Sequence, residues 1–300
     1  MKNYLKSIKN LTGEGKIWAI AIRKSNGKRL YEGNHSLFSV IKNSFRYWRA
    51  DPFLFEHNGE TYLFAELFDR IKGKGVIGVA KINNGKSGKF KVCLDLPYHL
   101  SYPCVFTDNN EIYMVPECAR SGKITVYKSK KFPYEWTEHR TLFEGEGVDT
   151  TPLPISQNKQ MGFISTLRTK ENRQNNCLFA LDYSGTNRKL IDNDFTVRPA
   201  GHFIRHGNGF LRPSQDCNNS YGGALVFKRL INSDIENYKE ETDLRITPDE
   251  IDVDYKKDRY NGIHTYNCTN EYEVIDLSYD VGKSLPYLLK KVRKHFVKEK

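Results

Sequence analysis

The stretch Asp51-Pro-Phe-Leu-Phe-Glu-His-Asn-Gly-Glu-Thr-Tyr-Leu-Phe-Ala-Glu66 recurs without a gap as Tyr102-Pro-Cys-Val-Phe-Thr-Asp-Asn-Asn-Glu-Ile-Tyr-Met-Val-Pro-Glu117. Six of the sixteen positions are identical, and most of the others place an apolar residue opposite an apolar residue. Each copy contains two strand patterns on either side of an Asn-Gly or Asn-Asn turn, which is a strong short-range signal of a β-hairpin. The stretch therefore predicts a repeated antiparallel hairpin.

The same signal continues along the chain at a regular interval. Weaker copies begin at Asp149-Thr-Thr-Pro152, Arg198-Pro-Ala-Gly-His202 and Gly262-Ile-His264. The anchor prolines 52, 103, 152 and 199 are 51, 49 and 47 residues apart. A repeat of this length built from short strands is typical of a propeller. We therefore expect an all-β fold, a five-bladed β-propeller over residues 12–283.

Closure of the ring explains an early strand that the repeat leaves unassigned. Lys16-Ile-Trp-Ala-Ile-Ala-Ile-Arg23 has a strong strand pattern but no hairpin partner nearby. A propeller must remove its edge strands, and the start of the chain commonly completes the last blade. We therefore expect residues 17–23 to pair with the strand at 272–277.

The net charge of +11 is concentrated at the two ends of the chain. Residues 1–11, a basic N-terminal tail, carry three lysines and no acid, and residues 290–300 carry six bases and one acid. The residues between these two ends contain no nucleic-acid-binding motif and no long basic stripe, so the sequence predicts no nucleic-acid partner.

The last segment, residues 284–300, predicts a basic amphipathic C-terminal helix. Its apolar residues follow helical spacing: Leu285, Leu288, Leu289, Val292 and Phe296. The helix either packs on the propeller with its lysines in water or docks on an anionic membrane surface. With no signal-peptide pattern and no transmembrane window, we expect a cytoplasmic protein, with peripheral contact at the inner membrane face under the second reading.

The cysteines and histidines give no sign of a cofactor. Six cysteines show neither a CxxC pair nor metal-finger spacing, so reduced structural thiols are expected. No metal ligand set and no cofactor are predicted, although a structural ion at the propeller axis stays open.

Residues at the same repeat position of a propeller converge on the central axis. That position holds Asp51, Tyr102, Asp149, Arg198 and His264, and the returning strands add further polar side chains. The additional candidates are Trp48, Glu66, Glu117, His202, Arg212, Gln215 and Asp216. Structural ties between blades are one interpretation. A ligand site is the other, because charges crowded at an axis cost desolvation energy unless they are paired.

A set of short motifs carries a resemblance that extends from about Ile17 to Leu277. The motifs are Ala50-Asp-Pro-Phe53, Tyr102-Pro103, Pro116-Glu117, Asp149-Thr-Thr-Pro152, Arg198-Pro-Ala-Gly201, Arg212-Pro-Ser-Gln-Asp216, Tyr221-Gly222 and His264-Thr-Tyr-Asn267. Together they resemble the propeller-like N-terminal domain of plant glucosamine inositolphosphorylceramide transferases and bacterial proteins of surface-polysaccharide loci.

The motifs around Asp51 and Asp149 also resemble the five-bladed propellers of family 43 glycoside hydrolases. That resemblance implies that Asp51 is a general base and that Asp149 tunes a glutamic acid from a further blade. Those hydrolases place the acid in a Glu-Gly-Pro turn, whereas this chain has Arg198-Pro-Ala-Gly201 there. The proton would then have to come from Glu66 or Glu117.

Two functions follow from these residues, and the sequence does not decide whether the protein is an enzyme. The first is glycosyl transfer or hydrolysis in surface-polysaccharide biosynthesis, with Asp51, Glu66, Glu117 and Asp149 as catalytic candidates. The second is a non-catalytic glycan-binding or scaffold propeller. Under either reading Arg198 and Arg212 suit an anionic saccharide or sugar phosphate. Trp48 and Tyr102 suit stacking on a sugar ring.

Overall fold

The computed structural model describes residues 16–25, 27–154, 161–168, 176–182, 184 and 186–280, and within them the chain forms five antiparallel sheets. The described part of the chain begins with β1 (Lys16–Lys24) and β2 (Ser39–Ile41). The first blade contains β3 to β7: Tyr47–His57, Glu60–Asp69, Lys74–Asn83, Lys86–Ser87 and Lys91–Leu94. The second contains β8 to β11: Ser101–Asp108, Glu111–Glu117, Lys123–Lys131 and Glu135–Glu144.

The remaining blades follow in chain order around the ring. The third contains β12 to β15: Glu146–Pro152, Phe163–Arg168, Leu178–Leu181 and Asn187–Ile191. The fourth contains β16 to β20: Arg198–Pro199, Ile204–His206, Gly209–Asp216, Ala224–Asn232 and Lys239–Ile246. The fifth begins with β21 (Gly262–Cys268) and β22 (Tyr272–Asp280). Short 3-10 helices cover Leu30–Glu32, Ala119–Ser121, Pro248–Glu250 and Lys257–Arg259.

The fifth blade closes the ring as the sequence predicts. Its strand order is β2-β1-β22-β21, so the start of the chain completes the last sheet. The register runs without a break from Lys16 opposite Asp280 to Lys24 opposite Tyr272. The predicted all-β five-bladed propeller is thereby confirmed. The predicted basic tail (1–11) and C-terminal helix (284–300) lie outside the described residues.

A backbone irregularity recurs at the repeat position of the inner strands. In the first three blades the ladder shifts register between Ala50 and Phe53, Ser101 and Cys104, and Val148 and Thr151. The bulged residues Asp51, Tyr102 and Asp149 have φ values of 49°, 45° and 53°. Left-handed conformations of bulky residues are strained, and they cluster at functional sites. Each bulge re-aims one side chain of an otherwise regular strand toward the axis.

The apolar core lies between the blades. One cluster fills the space among the first three blades with residues such as Phe53, Phe64 and Phe163, and a second joins the fourth and fifth blades. Gly201 allows a close approach at the axis, because a Cβ there would lie 2.0 Å from the carbonyl oxygen of Tyr266. Among the described residues no helix has the length and apolar character needed to cross a bilayer.

Candidate functional site at the propeller axis

A pocket of about 410 Å³ opens at the end of the propeller where the inner strands begin. Six of the residues predicted from the sequence line it: Trp48, Asp51, Glu66, Glu117, Arg198 and His264. The other lining residues are Trp18, Phe68, His99, Ser101, Arg168 and Tyr221. The repeat position therefore does gather acidic, basic and aromatic side chains from blades that are remote in sequence.

Asp51 is a buried carboxylate held by two hydrogen bonds. Its Oδ1 accepts from the Thr265 hydroxyl at 3.0 Å, and its Oδ2 accepts from the backbone N–H of Tyr102 at 3.1 Å. Burial raises its pKa to about 6, and nearby Asp149 and Asp276 act in the same direction against the lowering effect of His264. Asp51 is therefore a carboxylate at neutral pH with a proton affinity suited to a general base.

His264 lies between two carboxylates. Its Nδ1 is 2.7 Å from Asp276 Oδ2, and its Nε2 is 3.8 Å from Asp51 Oδ1. The indole of Trp18 stacks on the imidazole with ring centroids 3.7 Å apart. Burial opposes the charged imidazole, but Asp276 and Asp51 outweigh it and raise the pKa of His264. The two carboxylates therefore favour the protonated imidazolium, whose charge offsets part of theirs.

Asp51, His264 and Asp276 could also hold a cation, since one ligand atom from each lies within 4.8 Å of the others. A metal needs the lone pair of a neutral imidazole, so binding would displace a proton from His264. In the protonated form, the imidazolium offsets one of the two negative charges, and the carboxylates also accept hydrogen bonds from neighbouring N–H and hydroxyl groups. An ion at the axis stays a hypothesis.

Glu66 is the most perturbed acid of the pocket. Burial raises its pKa well above the ordinary value, and the carboxylates of Asp51, Glu117, Asp276 and Asp149 raise it further. Its buried Oε1 has no hydrogen-bond partner among the described residues. Burial and the surrounding carboxylates therefore favour the protonated form of Glu66, and a protonated carboxyl group is a proton donor.

His99 stands beside Glu66 in neutral form. Burial, with Arg120 and Lys74 acting in the same direction, lowers the pKa of His99 to about 4. Its Nδ1 accepts a hydrogen bond from the N–H of Gly75 at 2.9 Å, so the ring proton is on Nε2. That Nε2 lies 3.4 Å from Glu66 Oε1, but the contact is too poorly aligned to be a hydrogen bond.

Arg198 brings a fixed positive charge to the pocket. Its Nε donates to Asp149 Oδ2 at 2.5 Å, and its Nη2 lies 3.6 Å from Glu117 Oε2. Gln215 also donates to Asp149 Oδ2, at 3.0 Å. Burial raises the pKa of Asp149 to about 6 although Arg198 lowers it, so the pair is ionised at neutral pH. Arg198 lies in the pocket wall next to the Tyr221 ring.

Three predicted residues lie close to the axis but do not line this pocket. Asp149 and Gln215 are buried behind Arg198 and orient it. Tyr102 is fully buried, and its phenol oxygen accepts from the N–H of Gly201 at 2.8 Å and contacts the Thr151 hydroxyl at 2.9 Å. Tyr102 therefore ties blades together, which corrects its expected position as a stacking surface in the pocket.

The other three predicted residues are placed elsewhere, and their expected positions are corrected too. The guanidinium of Arg212 is only 1% exposed and pairs with both oxygens of Glu240, at 2.8 and 2.6 Å. Asp216 accepts from Arg245 Nε at 2.8 Å outside the pocket. His202 lines a separate cavity of about 510 Å³.

Several contributors to the site were not predicted, among them Trp18, His99, Tyr221 and Asp276. His99 occupies the same repeat position as Trp48, three residues before the bulge, so the ungapped alignment contained its signal. Asp276 accepts backbone hydrogen bonds from Asp51, His264 and Thr265 in the short hairpin of the fifth blade. The weak repeat signal at Gly262-Ile-His264 does not extend to Asp276.

The matched motifs have a counterpart in a known family. Residues 39–269 match the family described as glucosamine inositolphosphorylceramide transferase 1, N-terminal. The chain belongs to this family. The resemblance seen in the sequence is thereby confirmed for the larger part of the propeller.

Curated members of the glucosamine inositolphosphorylceramide transferase family are much longer proteins. The transferase 1 from Oryza sativa subsp. indica is 29% identical over 204 residues, which are 64% of this chain and 27% of that protein. The one from Arabidopsis thaliana is 27% identical over 234 residues, 73% of this chain and 30% of that protein. The chain thus spans less than a third of the relatives it matches.

Solved structures with the same fold come from carbohydrate enzymes. A β-1,2-mannobiose phosphorylase from Listeria innocua superposes with a TM-score of 0.58 at 10% identity, covering 88% of this chain and 98% of that one. The catalytic domain of a GH62 α-L-arabinofuranosidase from Coprinopsis cinerea gives a TM-score of 0.55 at 12% identity, covering 87% and 97%. At these identities the likeness concerns the fold alone.

Proposed function

We propose that this member of the glucosamine inositolphosphorylceramide transferase family acts on a glycosidic bond in the axial pocket, with Asp51 as base and Glu66 as acid. One observation carries the proposal. The pocket holds two buried carboxyl groups whose proton affinities are separated, since the pKa of Asp51 is about 6 and that of Glu66 is raised well above its ordinary value. Such a separation identifies an acid and a base in one site.

The proposed reaction follows from these protonation states. Glu66 donates its proton to the glycosidic oxygen as the bond to the anomeric carbon breaks. Asp51 accepts a proton from the water, or from the acceptor hydroxyl, that attacks that carbon. Proton transfer of this kind contributes roughly 10²- to 10⁴-fold to rate. Glu117, also in the pocket, is the second acid considered from the sequence.

The walls of the pocket favour an anionic sugar. Trp48 stacks on Phe68 with centroids 4.6 Å apart, and together with Trp18 and Tyr221 they supply flat surfaces of the kind on which sugar rings pack. Arg198 offers a guanidinium edge for a carboxylate or phosphate. The name of the relatives includes a phosphate-bearing, lipid-linked inositol, which is consistent with this chemistry.

The proposal extends to the cellular setting. We infer a role in surface-polysaccharide biosynthesis on a lipid-linked saccharide, in a cytoplasmic protein whose segment 284–300 contacts the anionic inner face of a membrane. The charge and apolar spacing of that segment support this setting.

A second candidate function is glycan binding without catalysis. Arg198 occupies the position at which the hydrolases that the sequence resembles carry their acid. Asp51 and Asp149 also accept hydrogen bonds from other blades of the propeller. A binding propeller would need no more than this arrangement.

Substitution of the two acids tests the proposal. The wild-type protein, Asp51→Asn and Glu66→Gln are assayed on methylumbelliferyl glycosides of glucosamine and glucuronic acid, and calorimetry measures binding of glucuronic acid and myo-inositol phosphate. We expect each substitution to lower kcat by at least about 10²-fold while affinity changes only a few-fold. A wild-type protein that binds these ligands but cleaves no glycoside would favour the binding function.

A further inference from the structure

Two neighbouring loops at the pocket end of the first blade expose large apolar side chains. Phe45, just before β3, is 79% exposed, and Ile71, just after β4, is 55% exposed. The loops are adjacent, because the N–H of Arg70 donates to the carbonyl of Arg46 at 2.9 Å. We call Phe45, Arg46, Arg70, Ile71 and Lys72 the rim patch.

The rim patch is held in a fixed conformation. Asp69 is 1% exposed, and its Oδ1 accepts from the N–H groups of Ile71 and Lys72 at 2.9 and 3.1 Å. Its Oδ2 accepts from Nε and Nη2 of Arg46 at 3.0 and 2.7 Å. One buried carboxylate therefore organises both loops while Phe45 and Ile71 point outward. Apolar side chains displayed side by side on an ordered surface indicate an interaction site.

The charge around the rim patch favours an anionic partner. Residues 42–46 and 69–74 carry five basic side chains and one acid, Asp69, which is buried. Lys72 and Lys74 share Asp95 as an ion-pair partner, so the surface keeps a positive excess. Apolar tips surrounded by lysine and arginine are the composition of a membrane-interface element.

The position of the rim patch relative to the pocket supports the same partner. Trp48 and Phe68, which line the pocket, are each three residues along the chain from Phe45 and Ile71. The described chain also begins and ends at this side, where Lys16 pairs with Asp280 and its Nζ donates to the carbonyl of Tyr221 in the pocket wall. The described residues therefore begin and end at the pocket end of the propeller.

We propose that the rim patch docks the propeller on an anionic lipid bilayer, with Phe45 and Ile71 inserted among the head groups and the pocket opening toward the membrane. Basic side chains around them contact lipid phosphates and carboxylates. A saccharide carried on a lipid would then reach the pocket without leaving the bilayer. The proposal holds equally for a catalytic and for a binding propeller, because it concerns orientation and not the reaction.

Co-sedimentation of the full chain with vesicles tests the proposal. The probes are vesicles of phosphatidylcholine alone and of phosphatidylcholine with about a third phosphatidylserine, an anionic lipid that attracts basic surfaces. We expect binding to the anionic vesicles only. Phe45→Ser with Ile71→Ser should weaken that binding by about tenfold or more, because two large apolar side chains no longer leave water.

The matched control is Leu37→Ser with Ile231→Ser. Leu37 and Ile231 are 56% and 49% exposed but lie toward the opposite end of their blades, so vesicle binding should stay at the wild-type level. Unchanged binding by the Phe45/Ile71 variant would overturn the proposal and assign membrane contact to other segments. Sedimentation velocity gives a second outcome that would overturn the proposal. If the wild type self-associates and only the Phe45/Ile71 variant loses that self-association, the patch binds a second copy of the chain.

Discussion

The carboxylate of Asp149 and the guanidinium of Arg198 form a 2.5 Å hydrogen bond across the seam between the third and fourth blades. Both residues are buried, so neither charge is stabilised by bulk water. The bond uses the Nε edge of Arg198 and leaves Nη2 near Glu117 in the pocket. One ion pair therefore joins two blades and also fixes the cation that we propose to recognise an anionic sugar.

Arg198→Ala should destabilise the fold and abolish binding of anionic sugars. Removal of one partner of a buried pair leaves an uncompensated charge, at a cost of about 3–5 kcal/mol in the free energy of unfolding. Chemical denaturation measures this cost, and calorimetry with glucuronic acid measures binding. Adding Asp149→Asn should recover part of the stability but none of the binding. If the double variant binds glucuronic acid like the wild type, Arg198 does not contact the ligand.

Enzyme activity should follow a bell-shaped pH profile. The reaction needs Asp51 deprotonated, so kcat/KM should rise with pH through about 6. It also needs Glu66 protonated, and since burial raises the pKa of Glu66, the rate should fall only at higher pH. Asp51→Asn should remove the acidic limb from the residual activity, and Glu66→Gln the alkaline limb. An acidic limb that persists in Asp51→Asn would assign the base elsewhere.

The stability of the fold should respond to Glu66→Gln with a definite sign. A carboxyl group whose pKa is raised by folding binds more protons in the folded than in the unfolded state. Stability is therefore lost as the pH rises from the unfolded pKa through the folded one. Glutamine has no such proton to lose, so the variant should gain stability relative to the wild type as pH rises, with a difference in Tm of about a few degrees in mildly alkaline buffer. Thermal melts at several pH values measure it. A constant difference would mean that Glu66 titrates normally.

The fold was predictable because the hairpin signal repeats almost without gaps, and a ring of blades is the arrangement that hides the edges of such sheets. The convergence of Asp51, Arg198 and His264 followed from the same repeat. Which side chains enter the pocket did not follow. The phenol oxygen of Tyr102 instead hydrogen-bonds to Gly201 and Thr151 between the blades. A linear sequence repeat does not indicate whether a side chain packs between blades or enters the pocket.

Strand parity explains the residues that were misplaced in the fourth blade. Side chains alternate along a strand, so Arg212 and Asp216 face one side of β18 while Gln215 faces the other. Only Gln215 reaches the Asp149–Arg198 pair, and Arg212 instead pairs with Glu240 on β20, the outer strand of the same blade. The motif Arg212-Pro-Ser-Gln-Asp216 treated as one functional unit obscured this alternation. Asp276 escaped prediction for another reason, since the weak repeat signal at Gly262-Ile-His264 does not extend along the chain to residue 276.

Arg212→Ala should therefore affect stability and leave binding intact. Glu240, whose pKa Arg212 helps to hold at about 2 against the effect of burial, would lose its main partner. We expect a loss of about 3–5 kcal/mol in the free energy of unfolding, while affinity for glucuronic acid changes only a few-fold. The double variant Arg212→Met with Glu240→Leu should be more stable than Arg212→Ala, because no charge remains unpaired. If a folded Arg212 variant loses its affinity for glucuronic acid, Arg212 contributes to the binding site after all.

Asp276→Asn tests whether the charge on His264 depends on its buried partner. Asp276, and to a smaller extent Asp51, raises the pKa of His264 against the effect of burial. Removal of the Asp276 charge should therefore lower the pKa of His264, and NMR titration of the histidine resonances would show the shift.

Asp276 also accepts hydrogen bonds from three backbone N–H groups, those of Asp51, His264 and Thr265. The amide of asparagine cannot accept all of them, so we expect a further cost of about 1–3 kcal/mol in the free energy of unfolding. A His264 with a raised pKa contributes stability at low pH that is lost as pH rises through that pKa, so the variant should differ most from the wild type in acid. If the His264 resonances titrate alike in both proteins, Asp51 alone raises the pKa of the imidazole, and Asp276 serves only to hold the backbone of the axial strand.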